Sequence, residues 1–146
     1  MKQILGAVFA AAMLFATPAV MPAQANAATL EARIDISDQT MHVYRNGRLL
    51  HRWPVSTGRK GYRTPTGSYR PQRMYKRYYS KKYDGAPMPY SIFFRGGYAI
   101  HGTGHIKGLG RPASHGCIRL HPDNAARLYS MVQQYGAGNT SIRITQ

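Results

Sequence analysis

Residues 114–120 read SHGCIRL, and residues 121–135 continue as HPDNAARLYSMVQQY. The second run repeats apolar residues at helical spacing, at Ala126, Leu128, Met131 and Val132. Pro122-Asp123 is a usual helix start, and Gly136 stands where helices commonly end. The pattern therefore predicts a helix over 123–135, directly after the chain's only cysteine.

Elsewhere, short alternating runs separated by turn residues predict strands. Asn46-Gly47 between two such runs is a strong hairpin signal, because both residues tolerate positive φ. Gly96-Gly97 is the expected turn of a second pair. We expect strands over 32–37, 41–44, 49–55, 68–71, 91–94, 98–100 and 141–144. The predicted fold class is mainly β, with a closed or sandwiched sheet and one helix.

The first 27 residues have the pattern of a secretory signal. Lys2 is followed by a short apolar run over 4–16 and by small residues that place cleavage near Ala25 or Ala27. The run is short for a membrane span, although an uncleaved N-terminal anchor is the alternative. We expect residues 28–146 to form one domain. The signal and the net positive charge suggest export to a bacterial periplasm, and a Gram-positive wall is the alternative.

Charge indicates the kind of partner. Twenty basic residues stand against five acidic ones, for a net charge of +15. Such a balance attracts polyanions. Because an exported protein meets little nucleic acid, we expect no nucleic-acid partner and favour anionic cell-wall polymers or lipid headgroups. We expect the protein to be a monomer.

Cys117 is the candidate for chemistry. A lone cysteine in an exported chain forms no internal disulfide, so its thiol is either buried and inert or kept for reaction. His101 follows an apolar strand, and His115 lies two residues before Cys117, on the same face if the backbone is extended. Gly116 allows close backbone approach, so the amides of residues 116 and 117 could face an oxyanion. Arg119 could favour the thiolate or hold a carboxylate.

Two other site chemistries are weaker. A zinc site would use His101, His105, His115 and Cys117, but His105 lies in a glycine-rich loop rather than on a helix. A serine hydrolase would need Ser114 in a Gly-x-Ser-x-Gly context, which is absent, and the chain has few acids. We expect neither a metal nor a cofactor.

The segment 74–90 mixes five tyrosines with four cations and ends in Pro-Met-Pro-Tyr. Long irregular segments of this kind are often lids or binding loops. The hypothesis is that its tyrosines face a peptide in a cleft while its cations face anionic polymer. A solvated basic loop is the alternative.

At this point the chain resembles the L,D-transpeptidases that remodel bacterial peptidoglycan. The resemblance is carried by His101-Gly102-Thr103, Gly110, SHGCIRL at 114–120 and, downstream, Asp123, Ala126 and Leu128-Tyr129. It continues upstream in Tyr44, Asn46-Gly47, 54–58, 64–67 and 88–90, and so spans about residues 32–144. It implies a β-sandwich-like catalytic domain.

The resemblance also implies roles for individual residues. Cys117 would be the nucleophile, and His101 would be the base, oriented by the carbonyl of Gly102. The amides of Gly116 and Cys117 would form the oxyanion hole. His115 would belong to the catalytic group.

The donor-peptide pocket would include Arg119, Ser114 and Tyr90. The thiolate would release D-Ala from a tetrapeptide stem, and a second stem's amine would resolve the thioester to give a 3→3 cross-link. Hydrolysis of the same thioester, as by a carboxypeptidase or an amidase that releases lipoprotein, is the alternative. A wall-binding module with a decayed site is a third hypothesis.

Overall fold

The computed structural model describes residues 29–146, so the predicted signal over 1–27 lies outside the described residues. The nine strands described are β1 Leu30–Asp35, β2 Thr40–Arg45, β3 Arg48–Pro54, β4 Gly67–Tyr69, β5 Arg73–Tyr75, β6 Ser91–Arg95, β7 Tyr98–Gly102, β8 Ile118–Leu120 and β9 Thr140–Thr145. The helix α1 is Pro122–Tyr135. Short 3-10 turns occupy Ile106–Gly108 and Ala137–Asn139. The mainly β prediction is confirmed.

The strands form two sheets. One has the order β3-β2-β1-β9-β4, and the other has the order β5-β6-β7-β8. Most neighbours are antiparallel, but β1 runs parallel to β9 and β7 runs parallel to β8. Because the chain needs a crossover to place parallel strands side by side, the loop between β7 and β8 is long. The end of that loop and β8 carry the cysteine motif, with Cys117 directly before the strand.

The predicted hairpin at Asn46-Gly47 is present between β2 and β3. Asn46 and Gly47 have φ values of 48° and 78°, as a turn with two left-handed central residues requires. The side chain of Asn46 also accepts a hydrogen bond from the amide of Thr29, at 2.8 Å. The local sequence therefore fixes this turn.

A single main core joins both sheets and the helix. Alternate residues of β1, Leu30, Ala32 and Ile34, are buried against it. Strands β6 to β8 contribute buried residues at 92, 94, 100, 118 and 120. The helix buries Ala125, Leu128 and Val132, with Met131 partly buried. The predicted helix face is thus correct except that Ala125, rather than Ala126, points inward.

Candidate active site

The turn before Cys117 is held by internal hydrogen bonds. The hydroxyl of Ser114 donates to the carbonyl of Cys117 at 2.5 Å and accepts from the amide of Gly116 at 3.0 Å. Gly116 has a φ of 116°, and a Cβ there would lie 2.7 Å from the ring of Tyr98. This position therefore requires glycine both for its backbone conformation and for space. Ser114 is buried and braces the turn.

Thr64 fixes the same turn from a distant loop. Its hydroxyl donates to the carbonyl of Gly116 at 2.8 Å and accepts from the amide of Gly58 at 2.9 Å. Thr64 belongs to the family-like stretch 64–67, but no local pattern predicts its contact with Gly116, which lies 52 residues away. It ties the loop after β3 to the cysteine motif.

The two amides predicted to form the oxyanion hole, those of Gly116 and Cys117, differ in their hydrogen bonding in this structure. The amide of Gly116 is already bonded to the Ser114 hydroxyl, so it is engaged before any substrate arrives. This bond engages the Gly116 amide and not the Cys117 amide, which is the other predicted donor. The expected pair of donors would require Gly116 to exchange its partner.

Cys117 is half-buried at the edge of a small apolar cluster of Met88, Phe93 and Ala99. Burial raises the pKa of the Cys117 thiol above its ordinary value, while a bond from the Ala99 amide and the charge of Arg119 lower it in part. Its sulfur lies 3.8 Å from the carbonyl oxygen of Gly97. At neutral pH the group is therefore a thiol rather than a preformed thiolate.

His101 lies on β7 and is buried. Its Nδ1 is 2.7 Å from the carbonyl oxygen of Gly102. A carbonyl only accepts, so Nδ1 carries the proton and Nε2 keeps its lone pair. Burial lowers the pKa of His101 to about 4, with the Gly102 bond opposing this shift and the charge of Arg119 adding to it. The imidazole is therefore neutral and able to accept a proton at Nε2.

One cavity of about 750 Å³ gathers most of the predicted site. It is lined by His101, Ser114, His115, Cys117 and Arg119. The segment predicted as a lid contributes Ser80, Lys82, Tyr83, Asp84 and 86–88 to the same lining. This catalytic cavity thus lies between the motif and the 74–90 segment.

Three predicted residues, Tyr90, Gly102 and Gly116, do not line the catalytic cavity. Tyr90 is absent from its lining and packs instead against Tyr129 of α1, with ring centroids 5.8 Å apart. Its φ of 55° turns the chain at this point. Gly102 also does not line the cavity, and it acts through its carbonyl on His101. The structure therefore does not bring Tyr90 to the expected peptide pocket.

His115 is held among aromatic and cationic neighbours. Its ring stacks on Tyr83 at 4.2 Å with a 15° interplanar angle, and it meets the edge of Tyr62 at 4.7 Å. The guanidinium of Arg59 lies 3.0 Å from Nε2. Burial, followed by the charges of Arg59 and Arg119, lowers the pKa of His115. A neutral His115 accepting from Arg59 is the arrangement that these neighbours favour.

These neighbours of His115 come from two separate segments. Arg59 and Tyr62 belong to the loop after β3, and the guanidinium of Arg59 also lies 4.5 Å from the Tyr62 ring. Tyr83 belongs to the 74–90 segment, the predicted lid. Arg59 and Tyr62 were not predicted as site residues, because no local pattern links them to the cysteine motif. His115 therefore connects both segments to the cysteine motif.

Arg119 pairs in register with His101, because β7 and β8 run parallel. Its guanidinium donates to the carbonyl of Ala113 at 3.3 Å. Burial lowers the pKa of Arg119, and the charge of Arg59 lowers it further, against a favourable contribution from Cys117. Arg119 still carries a full positive charge beside the thiol.

Residues 29–146 contain no group of three or more His, Cys, Asp or Glu side chains arranged to hold a metal ion. Within the same residues, no helix combines the length and apolar character that crossing a bilayer requires.

Comparison with known proteins identifies the class. A model of the L,D-transpeptidase catalytic domain, also called YkuD, matches residues 31–144. The chain therefore belongs to this family. A putative L,D-transpeptidase YkuD of Bacillus licheniformis is 26% identical over 119 residues, covering 77% of this chain and 67% of that protein.

Solved structures agree on the fold. An L,D-transpeptidase from Mycobacterium smegmatis matches with a TM-score of 0.72 and 24% identity, over 82% of this chain and 59% of that one. The L,D-transpeptidase LdtMt1 in complex with imipenem matches with a TM-score of 0.71 and 26% identity, over 81% and 59%. The chain thus spans about three-fifths of the length of these two structures.

The protonation states at the site predict how the thiol reacts with iodoacetamide, which modifies thiolates. Because the pKa of Cys117 is raised, the rate should still be rising at pH 9, with no plateau in the neutral range. Arg119→Gln removes a charge that favours the thiolate and should slow the reaction at each pH. The measurement is the alkylation rate by intact-mass spectrometry. A wild-type rate already maximal at pH 7 would instead indicate a thiolate–imidazolium pair.

Proposed function

We propose that this protein is a peptidoglycan L,D-transpeptidase that acts through a thioester on Cys117. The observation that carries the proposal is the contact of His101 with the backbone carbonyl of Gly102. The Nδ1 of His101 lies 2.7 Å from the Gly102 carbonyl oxygen, which leaves Nε2 as the basic nitrogen of a neutral imidazole, and His101 and Cys117 line the same cavity.

The acylation step couples proton transfer to attack. The Cys117 thiol gives its proton to Nε2 of His101 while sulfur bonds to the carbonyl carbon between the diamino acid and terminal D-Ala. Arg119 favours the developing thiolate through its charge. The tetrahedral oxyanion collapses, the C–N bond breaks, and His101 returns the proton to the departing amine of D-Ala.

Transfer to the acceptor reverses these roles. A neutral amine of a second stem attacks the thioester carbon, and its excess proton passes to His101. The C–S bond breaks, the sulfur takes the proton back from His101, and a 3→3 cross-link results. Water in place of the amine would give a tripeptide, as in a carboxypeptidase.

The 74–90 segment serves this reaction as a lid in our proposal. Tyr83 supports it by stacking on His115, and Lys82 and Met88 line the same cavity. The exposed cations of the segment would meet anionic polymer. We also propose that the protein works after export through the signal at residues 1–27, in a bacterial periplasm.

Product analysis tests the proposed reaction. With a disaccharide tetrapeptide, the protein should release D-Ala and form cross-linked dimers, identified by mass spectrometry. Tripeptide without dimers would assign the hydrolytic alternative. Unchanged substrate at high enzyme concentration would indicate a wall-binding module without activity and would contradict the proposal.

A further inference from the structure

A second recess, here called the basic cleft, lies beside the catalytic cavity. Its volume is about 790 Å³, and it is lined by Arg59, Lys107, Arg111 and Arg119, together with 104–106, Gly108, Ala113 and His115. It shares Gly104, His105, His115 and Arg119 with the catalytic cavity. The two recesses are therefore contiguous.

The cations of the basic cleft have no acidic partner. The chain's five acids, Glu31, Asp35, Asp38, Asp84 and Asp123, all lie within the described residues, and none lines the cleft. The ion pairs among residues 29–146 join Glu31 to two arginines and Asp123 to His121. Four like charges in one recess repel one another, so an anion that enters it is favoured.

The three guanidinium groups are held in place by uncharged acceptors. Arg111 donates to the carbonyl of Lys107 at 3.2 Å, and Arg119 donates to that of Ala113 at 3.3 Å. Arg59 is bonded to the ring of His115 at 3.0 Å. Each group makes one of these hydrogen bonds, and Arg59 also lies over the ring of Tyr62, so each keeps its full charge and its other N–H donors. Such preorganised guanidinium groups suit phosphate, which accepts several hydrogen bonds at once.

The basic surface continues past the cleft. A neighbouring recess shares Arg59 and adds Lys60 and Arg63. Cations spread over two adjoining recesses suit a polymer with repeated anionic groups better than they suit one small ion. Among the residues lining the cleft, Ile106 is the one large exposed apolar side chain, which is little for insertion into a lipid surface.

We propose that the basic cleft is a binding site for phosphate groups of an anionic phosphodiester polymer, distinct from the peptide site in the catalytic cavity. Polymer binding does not require acyl transfer, so its test can succeed or fail independently of the proposed function. Because Arg119 belongs to both recesses, a bound phosphate would offset the charge that favours the Cys117 thiolate. Polymer binding would then slow reactions of the thiol.

The test uses poly(glycerol phosphate) as the probe and isothermal titration calorimetry at fixed ionic strength. Lys107→Gln with Arg111→Gln should weaken binding about tenfold or more, as expected for two lost charged hydrogen-bond donors. The matched control, Arg48→Gln with Arg52→Gln, removes the same charge from exposed positions on β3 and should change binding far less. Equal losses in the two double variants would overturn the site.

Three further arms complete the experiment. Poly-L-glutamate of matched length should bind at least several-fold more weakly, and equal affinity would overturn the assignment to phosphate. Phosphatidylglycerol vesicles should bind more weakly than the polymer, and retention by vesicles alone would assign a lipid surface instead. Saturating polymer should slow iodoacetamide modification of wild-type Cys117. An unchanged rate would place the polymer away from Arg119 and overturn the proposal.

Discussion

Cys117→Ala is expected to abolish D-Ala release from the tetrapeptide, with a loss of at least about 10³-fold, because the proposed acyl intermediate forms on its sulfur. The chain has no second cysteine to substitute for it. The side chain is half-buried beside Met88, Phe93 and Ala99, so truncation to alanine should leave the fold intact. The measurement is D-Ala release, with thermal unfolding as the control for folding.

Two outcomes would contradict the role of Cys117. Release of D-Ala at a rate near that of the wild type would remove the thiol from the mechanism. A carbapenem adduct that survives Cys117→Ala would place the nucleophile elsewhere. The complex of the related LdtMt1 with imipenem makes a carbapenem a suitable probe here.

His101→Gln should lower the rate of acylation about 10²- to 10⁴-fold, because glutamine lacks a lone-pair nitrogen that can accept a proton. The change keeps a side chain able to donate to the Gly102 carbonyl, so the backbone should be little disturbed. His42→Gln, on β2, is the matched control and should retain activity. Acylation by His101→Gln at the rate of the control would exclude His101 as the base.

The pKa of His101 also predicts a stability difference. Because this pKa is lowered from 6.5 to about 4, the unfolded chain takes up the proton first as the pH falls. The folded state therefore loses stability between about pH 6.5 and pH 4, by about 3 kcal/mol at most. The stability of His101→Gln should fall less over this pH range, because the variant lacks the contribution of His101. Urea unfolding at pH 7 and pH 4 compares the two proteins, and equal pH dependence would argue against a buried neutral imidazole.

Local signals in the sequence were sufficient for part of the fold. The Asn46-Gly47 turn and the helix after the motif depend on residues within a few positions of one another. The parallel pairing of β1 with β9 joins the two ends of the domain, and no local pattern encodes it. The predicted buried face of the helix was wrong by one position, at Ala126 instead of Ala125, because both residues are alanine.

The same difference between local and long-range contacts explains which residues of the candidate active site could be predicted. The motif around Cys117 and the strand end at His101 are short and could be predicted from spacing. The contacts of Arg59 and Thr64 with the motif cross 56 and 52 residues and depend on how the loop after β3 folds back. The family resemblance implied Tyr90 in the donor-peptide pocket, but the chain turns there and Tyr90 packs on the helix.

Intact-mass spectrometry of the protein during reaction with the tetrapeptide tests the central claim most directly. The account predicts a transient mass increase equal to the mass of the tetrapeptide stem minus that of free D-Ala, mapped by proteolysis to Cys117. Decay of this species should accompany formation of cross-linked product. D-Ala release with no such adduct on Cys117, under conditions that trap thioesters, would contradict the account.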